Sequence, residues 1–195
     1  AIPTQNEELQ AAFAQGIPVV KRGEIMKQII GHRTTLAVAG THGKTTTSSM
    51  LSQILLDGGC DPSYIVGGIP TSLGTNARHG SGPWFVIEAD EYDRMFLGLR
   101  PTVAAITHLE HDHPDCYPTF GELQEAFERF LDLVPRDGLV VGCGDHPAVA
   151  ALLGGEREVR VQTCGLESEN DWHAAEVQPN TVGGHDFRVC ALVGE

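Results

Sequence analysis

The stretch that most limits the fold runs from Leu36 to Leu56. It holds an apolar tetrad, Leu36-Ala37-Val38-Ala39, then Gly40-Thr41-His42-Gly43-Lys44-Thr45-Thr46-Thr47, then apolar residues at helical spacing. That order predicts a buried strand, a glycine loop and a helix. Glycines let the backbone curl around a polyphosphate, and the loop and helix amino end aim N–H donors and partial positive charge at the anion. Gly40, Thr41, His42, Gly43, Lys44, Thr45 and Thr46 are therefore candidate nucleotide contacts, with Lys44 reaching the β- and γ-phosphates. The Thr45 hydroxyl suits Mg2+, a hard cation that takes oxygen ligands beside nucleotide phosphates, so ATP with Mg2+ is the expected ligand. The common phosphate-loop pattern has a glycine five residues before its Gly-Lys pair, where this chain has Val38. A glycine turn that only reverses the chain is the plain alternative.

Around this unit, apolar runs alternate with helix-period segments, which predicts an α/β fold with a mostly parallel sheet flanked by helices. Further strands are expected at Trp84 to Glu88, Val103 to Thr107 and Leu139 to Val141. A helix is expected from Phe120 to Val134, with Thr119 and Glu122 as a capping box. Its stripe of Phe120, Leu123, Phe127, Phe130 and Leu131 reads as core. Residues 6 to 15 and Glu24 to Ile30 read as helices and Ile17 to Val20 as a strand, an opening that suits a preceding domain. Beyond Gly165, Trp172 to Val177 and Phe187 to Val193 alternate or lack helical period, so an antiparallel appendage is expected near the C-terminus.

The 195 residues, 41% hydrophobic and 20% charged, suffice for one well-cored domain or one domain with the remnant of another. With 26 acidic against 13 basic residues the net charge is -13, which repels a nucleic-acid backbone. No apolar run approaches the roughly 20 residues of a membrane-spanning helix. The five cysteines are widely spaced and form no CxxC pair, against a disulfide framework or a cysteine zinc site, so the cytoplasm is the expected compartment. A start without Met or a signal-peptide layout, and an end inside a strand-like pattern, suggest a piece of a longer protein.

Two more polar runs follow expected strands. Glu88-Ala89-Asp90-Glu91-Tyr92-Asp93 follows Trp84-Phe85-Val86-Ile87, and His108-Leu109-Glu110-His111-Asp112-His113-Pro114-Asp115 follows Val103 to Thr107. Ligands of open α/β sheets bind at the carboxyl ends of strands, so three such ends are candidates for one crevice. Taken alone, either run also fits a solvated loop. A zinc site from His108, His111 and His113 is the competing chemical reading, while the phosphate loop favours Mg2+.

Together, Gly40 to Thr47, Gly74-Thr75-Asn76-Ala77-Arg78, Glu88 to Asp93 and Leu109 to Asp115 resemble the Mur ligase family in order and spacing, nearest its alanine-adding branch. The resemblance implies that residues 1–33 are the tail of an N-terminal sugar-nucleotide-binding domain. It makes residues 34–195 the central ATP-binding domain, incomplete at its C-terminal end. It also implies a reaction in peptidoglycan synthesis: ATP phosphorylates the carboxylate of UDP-N-acetylmuramate, and the amine of L-alanine attacks the acyl phosphate. Lys44, Glu88 and His113 are then the implied catalytic residues, Thr45, Glu88 and His113 the metal ligands, and Asn76 and Arg78 part of a segment near the sugar nucleotide.

Two features depart from the family pattern. His108 stands where the family usually has Asn, and no lysine follows Lys44, although many members hold a second Mg2+ through a carbamylated lysine. The alanine-adding branch shares that lack. Other readings stay open: a ligase that recycles a preformed tripeptide onto the same sugar nucleotide, a non-catalytic ATP-binding module, and a zinc-dependent hydrolase. The hydrolase calls for about one equivalent of tightly held zinc, and none is expected.

Overall fold

The computed structural model describes residues 2–192. Two helices open the chain, α1 (Glu7–Ala14) and α2 (Arg22–Ile30), followed by β1 (Thr34–Ala39) and α3 (Lys44–Asp57). Then come β2 (Ser63–Ile65), β3 (Ala77–Arg78), β4 (Trp84–Glu88), a 3-10 segment Tyr92–Gly98, β5 (Val103–Ile106) and α4 (Phe120–Leu131). The last elements are β6 (Leu139–Cys143), α5 (Pro147–Leu153), β7 (Arg160–Gly165), β8 (Trp172–Pro179) and β9 (His185–Ala191). They form one nine-stranded sheet in the order β3-β2-β4-β1-β5-β6-β7-β8-β9. Strands β2, β4, β1, β5, β6, β7 and β8 run parallel, while β3 and β9 pair antiparallel at the two edges.

Alternation along the central strands makes two cores. Ala37, Ala39, Phe85, Ile87, Ala104, Ile106 and Val140 face one side, where they meet Met26 and Ile30 of α2, the aromatic stripe of α4, and Val149 and Leu152 of α5. Leu36, Tyr64, Val66 and Val86 face the other side, under Leu51, Leu55 and Leu56 of α3. Phe96 stacks on Phe130 at 4.8 Å and meets Phe127 edge-on at 5.2 Å, which ties the 3-10 segment to α4. No helix among the described residues is long and apolar enough to cross a membrane.

The α/β expectation and the antiparallel pair near the C-terminus hold, with several local corrections. Ile17 to Val20 forms no strand; Ile17, Val19 and Val20 are exposed. Apolar content alone gives a segment no ladder to join. In α3 the fully buried positions are Ser48, Ser49 and Ser52, while Met50 and Ile54 are exposed. Each buried serine hydroxyl donates to a carbonyl one turn earlier in the helix, at 2.5–2.8 Å, so small polar residues let the helix press close to the sheet. Helix α4 ends at Leu131 rather than Val134, because Pro135 disfavours the helical conformation at the residue before it. At its start the Thr119 hydroxyl accepts from the Glu122 N–H at 3.3 Å, but the Glu122 carboxylate meets that hydroxyl rather than the Thr119 backbone, so the box is half made. Strands β2, β3 and β7 and helix α5 were not anticipated, and Val193 lies outside the described residues.

Candidate active site

Strands β1, β4 and β5 are neighbours, so their carboxyl ends open side by side. Gly40 leaves β1 at φ +135, and a Cβ there would sit 2.9 Å from the backbone of His108, so a glycine is needed where β5 passes. Val38, where the common loop pattern has a glycine, lies in β1, paired with Glu88 of β4. The Thr107 hydroxyl donates to the His42 carbonyl at 2.5 Å and the Thr41 N–H donates to the His108 carbonyl at 2.9 Å, locking the loop to the end of β5.

Lys44 and Thr45 begin α3 and turn toward carboxylates just after β4 and at its end. The Lys44 ammonium donates to the Gly40 carbonyl at 2.6 Å and to Glu91 Oε1 at 2.8 Å. Glu91 is fully buried and its Oε2 has no hydrogen-bond partner. Thr45 donates its hydroxyl to Glu88 Oε2 at 2.8 Å, and the Gly67 N–H donates to the same oxygen at 2.6 Å. The sequence motif therefore splits into two carboxylates, one on the lysine and one on the threonine.

His113 lies 3.5 Å from Glu91 Oε1 through its Nε2, so Lys44, Glu91 and His113 meet at one oxygen. Glu91, Asp112 and His113 also place ligand atoms within 4.8 Å of one another. The backbone here is unusual: Asp93, Arg94 and His113 occupy the left-handed region, at φ 51, 54 and 53. Side chains pay about 1 kcal/mol or more for that conformation, and such residues gather at functional sites. Tyr117 donates its hydroxyl to the Glu91 carbonyl at 2.5 Å, and burial pushes its phenol up to about 12. Tyr92 donates to Asp115 at 2.9 Å, a bond that raises the phenol to about 12 and holds the Asp115 carboxyl below its ordinary range. Both tyrosines stay protonated as donors at neutral pH.

The other expected residues separate. His111 Nε2 lies 2.8 Å from the Tyr117 carbonyl, and His108 Nδ1 lies 3.2 Å from the Thr41 hydroxyl, so the zinc trio of His108, His111 and His113 is divided among three local networks. Burial, and then the neighbouring His146, push the His108 imidazole below its ordinary value. The Asn76 carbonyl accepts from the Val66 N–H at the carboxyl end of β2. Arg78 is held instead by Asp61 at 2.5 Å and the Pro62 carbonyl at 3.1 Å, at the amino end of β2, away from the phosphate loop. Thr46, next to Thr45, lines an open groove of about 500 Å³ with Ser49, Met50, Ile54, Gly68 and Ile69. Residue type does not set Glu91 apart from the other acids of its run, and no spacing signal marks Gly67, Thr107 or Tyr117.

The Mur ligase middle domain matches residues 38–192. A UDP-N-acetylmuramate--L-alanine ligase of Bradyrhizobium sp. (strain ORS 278) is 45% identical over 97% of this chain and 40% of its own length. The protein of that name from Rhodopseudomonas palustris (strain BisB18) is 46% identical over the same shares. Among solved structures, the UDP-N-acetylmuramate:L-alanyl-gamma-D-glutamyl-meso-diaminopimelate ligase of Neisseria meningitides superposes with a TM-score of 0.83 at 30% identity, over 97% of this chain and 62% of that one. The UDP-N-acetylmuramate-alanine ligase of Thermotoga maritima gives 0.74 at 25% identity, over 92% and 40%. The chain spans about 40% of the length of the curated relatives it matches. By the match across its middle domain, this chain belongs to the Mur ligase family.

Proposed function

We propose that this chain is the ATP-binding part of a cytoplasmic ligase that joins L-alanine to the carboxylate of UDP-N-acetylmuramate through an acyl phosphate, in peptidoglycan synthesis. The observation that carries the reading is the pairing at the loop: Lys44 on buried Glu91, and Thr45 on Glu88. Alanine as the incoming amine rests on the names of relatives 44–46% identical. Residues 1–33 are read as the tail of a sugar-nucleotide-binding domain and 34–195 as the central domain.

In this reading the loop amides from Gly40 to Thr46 hold the β- and γ-phosphates, and Lys44 leaves Glu91 to bind the transferring phosphoryl group. Thr45 and Glu88 offer hydroxyl and carboxylate oxygens 2.8 Å apart, the donor set that a hard divalent cation takes, so they fit Mg2+, with His113 contributing from the Glu91 side. When bound, Mg2+ supplies charge neutralisation at the phosphates. Asn76 and Arg78 are assigned to the sugar-nucleotide side. The groove beside Thr45 and Gly68 offers room for the acceptor.

Calorimetric titration with a nonhydrolysable ATP analogue, with and without Mg2+, tests the site. Lys44→Ala is expected to weaken binding by roughly 10- to 100-fold, the worth of one charge-assisted contact, and Glu88→Ala to remove the Mg2+ dependence. Undiminished binding by Lys44→Ala would sink the assignment. The tripeptide-recycling reading has its own support in the TM-score of 0.83 to the Neisseria enzyme. Phosphate release by the full-length protein with UDP-N-acetylmuramate, given alanine or tripeptide, separates the two.

A further inference from the structure

We propose that His42, His108 and Glu110 form a site for a borderline transition-metal dication of the Zn2+ class, on the outer rim of the phosphate loop and distinct from the Thr45 and Glu88 oxygens. One ligand atom from each of the three lies within 4.8 Å of the others, with His42 Nε2 and Glu110 Oε1 2.5 Å apart. A tetrahedral ion with bonds of about 2.0–2.1 Å needs donors about 3.3 Å apart. Small side-chain rotations supply that spacing. The backbone is already set, because the Thr41 hydroxyl accepts from the Glu110 N–H at 3.2 Å and lies 3.2 Å from His108 Nδ1. Contacts of this kind orient the imidazoles of metal sites.

The donor set fixes the class of ion. Two imidazoles and one carboxylate suit Zn2+, Ni2+ or Cu2+ better than Mg2+, whose ligands are mostly oxygen. His42 and Glu110 side chains are 63% and 53% exposed, which leaves an entry path and an open coordination position. A third imidazole backs the cluster: the His146 ring stands 3.9 Å from that of His108, and its Nδ1 is buried with no partner. A buried ring nitrogen left without a partner against the His108 ring marks a polar cluster whose hydrogen bonds the described residues do not complete. The trio differs from the His108, His111 and His113 grouping read from sequence, since the last two rings are engaged elsewhere. Because His42 lies in the phosphate loop and the other two follow β5, an ion here would tie the two segments together. The inference does not depend on the ligase reading.

The test is titration of this chain with Zn2+ by calorimetry and with Co2+ by visible absorption. In place of the absence of zinc expected from the sequence, about one equivalent is expected here, with nitrogen and oxygen ligation and no thiolate charge-transfer band, weakened by roughly 10- to 100-fold or more in His42→Ala and His108→Asn but not in His113→Ala. Both variants are to be checked for native circular dichroism, and His42 is exposed enough for its loss to leave the fold intact. His113→Ala is expected to keep the equivalent. Three outcomes overturn the proposal: no binding by the unsubstituted chain, binding that survives both variants, or binding lost in His113→Ala but kept in His42→Ala.

Discussion

The two ends of this sheet are built on the same backbone ladder but not on the same support. Strands β1 and β4 are buried on both faces, and β5 and β6 bury every second residue. Beyond β7 only two residue pairs, Cys164 with Trp172 and Gly165 with His173, join β8 to the parallel strands. Strand β9 has no fully buried residue, and Phe187, Val189 and Leu192 are 53–64% exposed. Charges can be held buried only where the surrounding packing overdetermines them. That explains why Glu91, Lys44 and His113 cluster at the packed end of the sheet, while on the hairpin Glu176, also left-handed at φ 57, meets Arg188 at 2.8 Å with both side chains more than 60% exposed.

Paired substitutions put this contrast to the test. Phe127→Ala, beneath the strands, is expected to cost about 3–5 kcal/mol in urea unfolding, and Phe187→Ala on the hairpin less than about 1 kcal/mol. Equal costs would erase the distinction. At the next level, Gly40→Ala brings a Cβ against β5 as well as a positive φ, and is expected to cost about 2–3 kcal/mol and to disable nucleotide binding. Gly183→Ala, at φ +88 in the β8–β9 turn with nothing within 4 Å, carries only the backbone cost of about 1–2 kcal/mol.

The smallest effect concerns the junction. Asp145 accepts from the Leu166 and Glu167 N–H groups and from Asn170, at 2.5, 3.3 and 2.6 Å, fixing the loop that leads into β8. The Leu166 N–H in particular holds its carboxyl below the ordinary range. A carboxyl depressed on folding adds stability that is full above its unfolded value of about 3.9 and is lost as pH falls through the lower folded value. Asp145→Asn is expected to flatten that acid limb and to speed amide exchange at Leu166. An unchanged limb would show that the junction draws nothing from this carboxylate.

The sheet's middle was legible because strands buried on both faces read as continuous apolar runs, as in Leu36 to Ala39 and Phe85 to Ile87. Strand β7, Arg160-Val161-Gln162-Thr163-Cys164-Gly165, sits where that cover thins and carries no such run. Strands β2 and β3 span three and two residues, too few for any period to register. At the site, Lys44, Thr45, Glu88 and His113 were legible as members of motifs. Glu91 was not, since which of the acids at 88, 90, 91 and 93 is swallowed depends on the left-handed turn at Asp93 and Arg94. Nothing in residue type announces that turn. Likewise His42, His108 and Glu110 come together only through the crossover that sets β5 beside β1.

Under the proposed nucleotide role, the lysine's resting partner also acts as a filter on ligands. With Lys44 neutralised by Glu91 inside a protein of net charge -13, a bare polyanion entering the loop finds no uncompensated cation and meets Glu88, Glu91 and Asp112 instead. Electroneutrality then favours a polyphosphate that brings its own counter-charge, and free sulfate or inorganic phosphate is a poor competitor. In the proposed ligase the buried pair would thus discriminate charge state ahead of any recognition of the base.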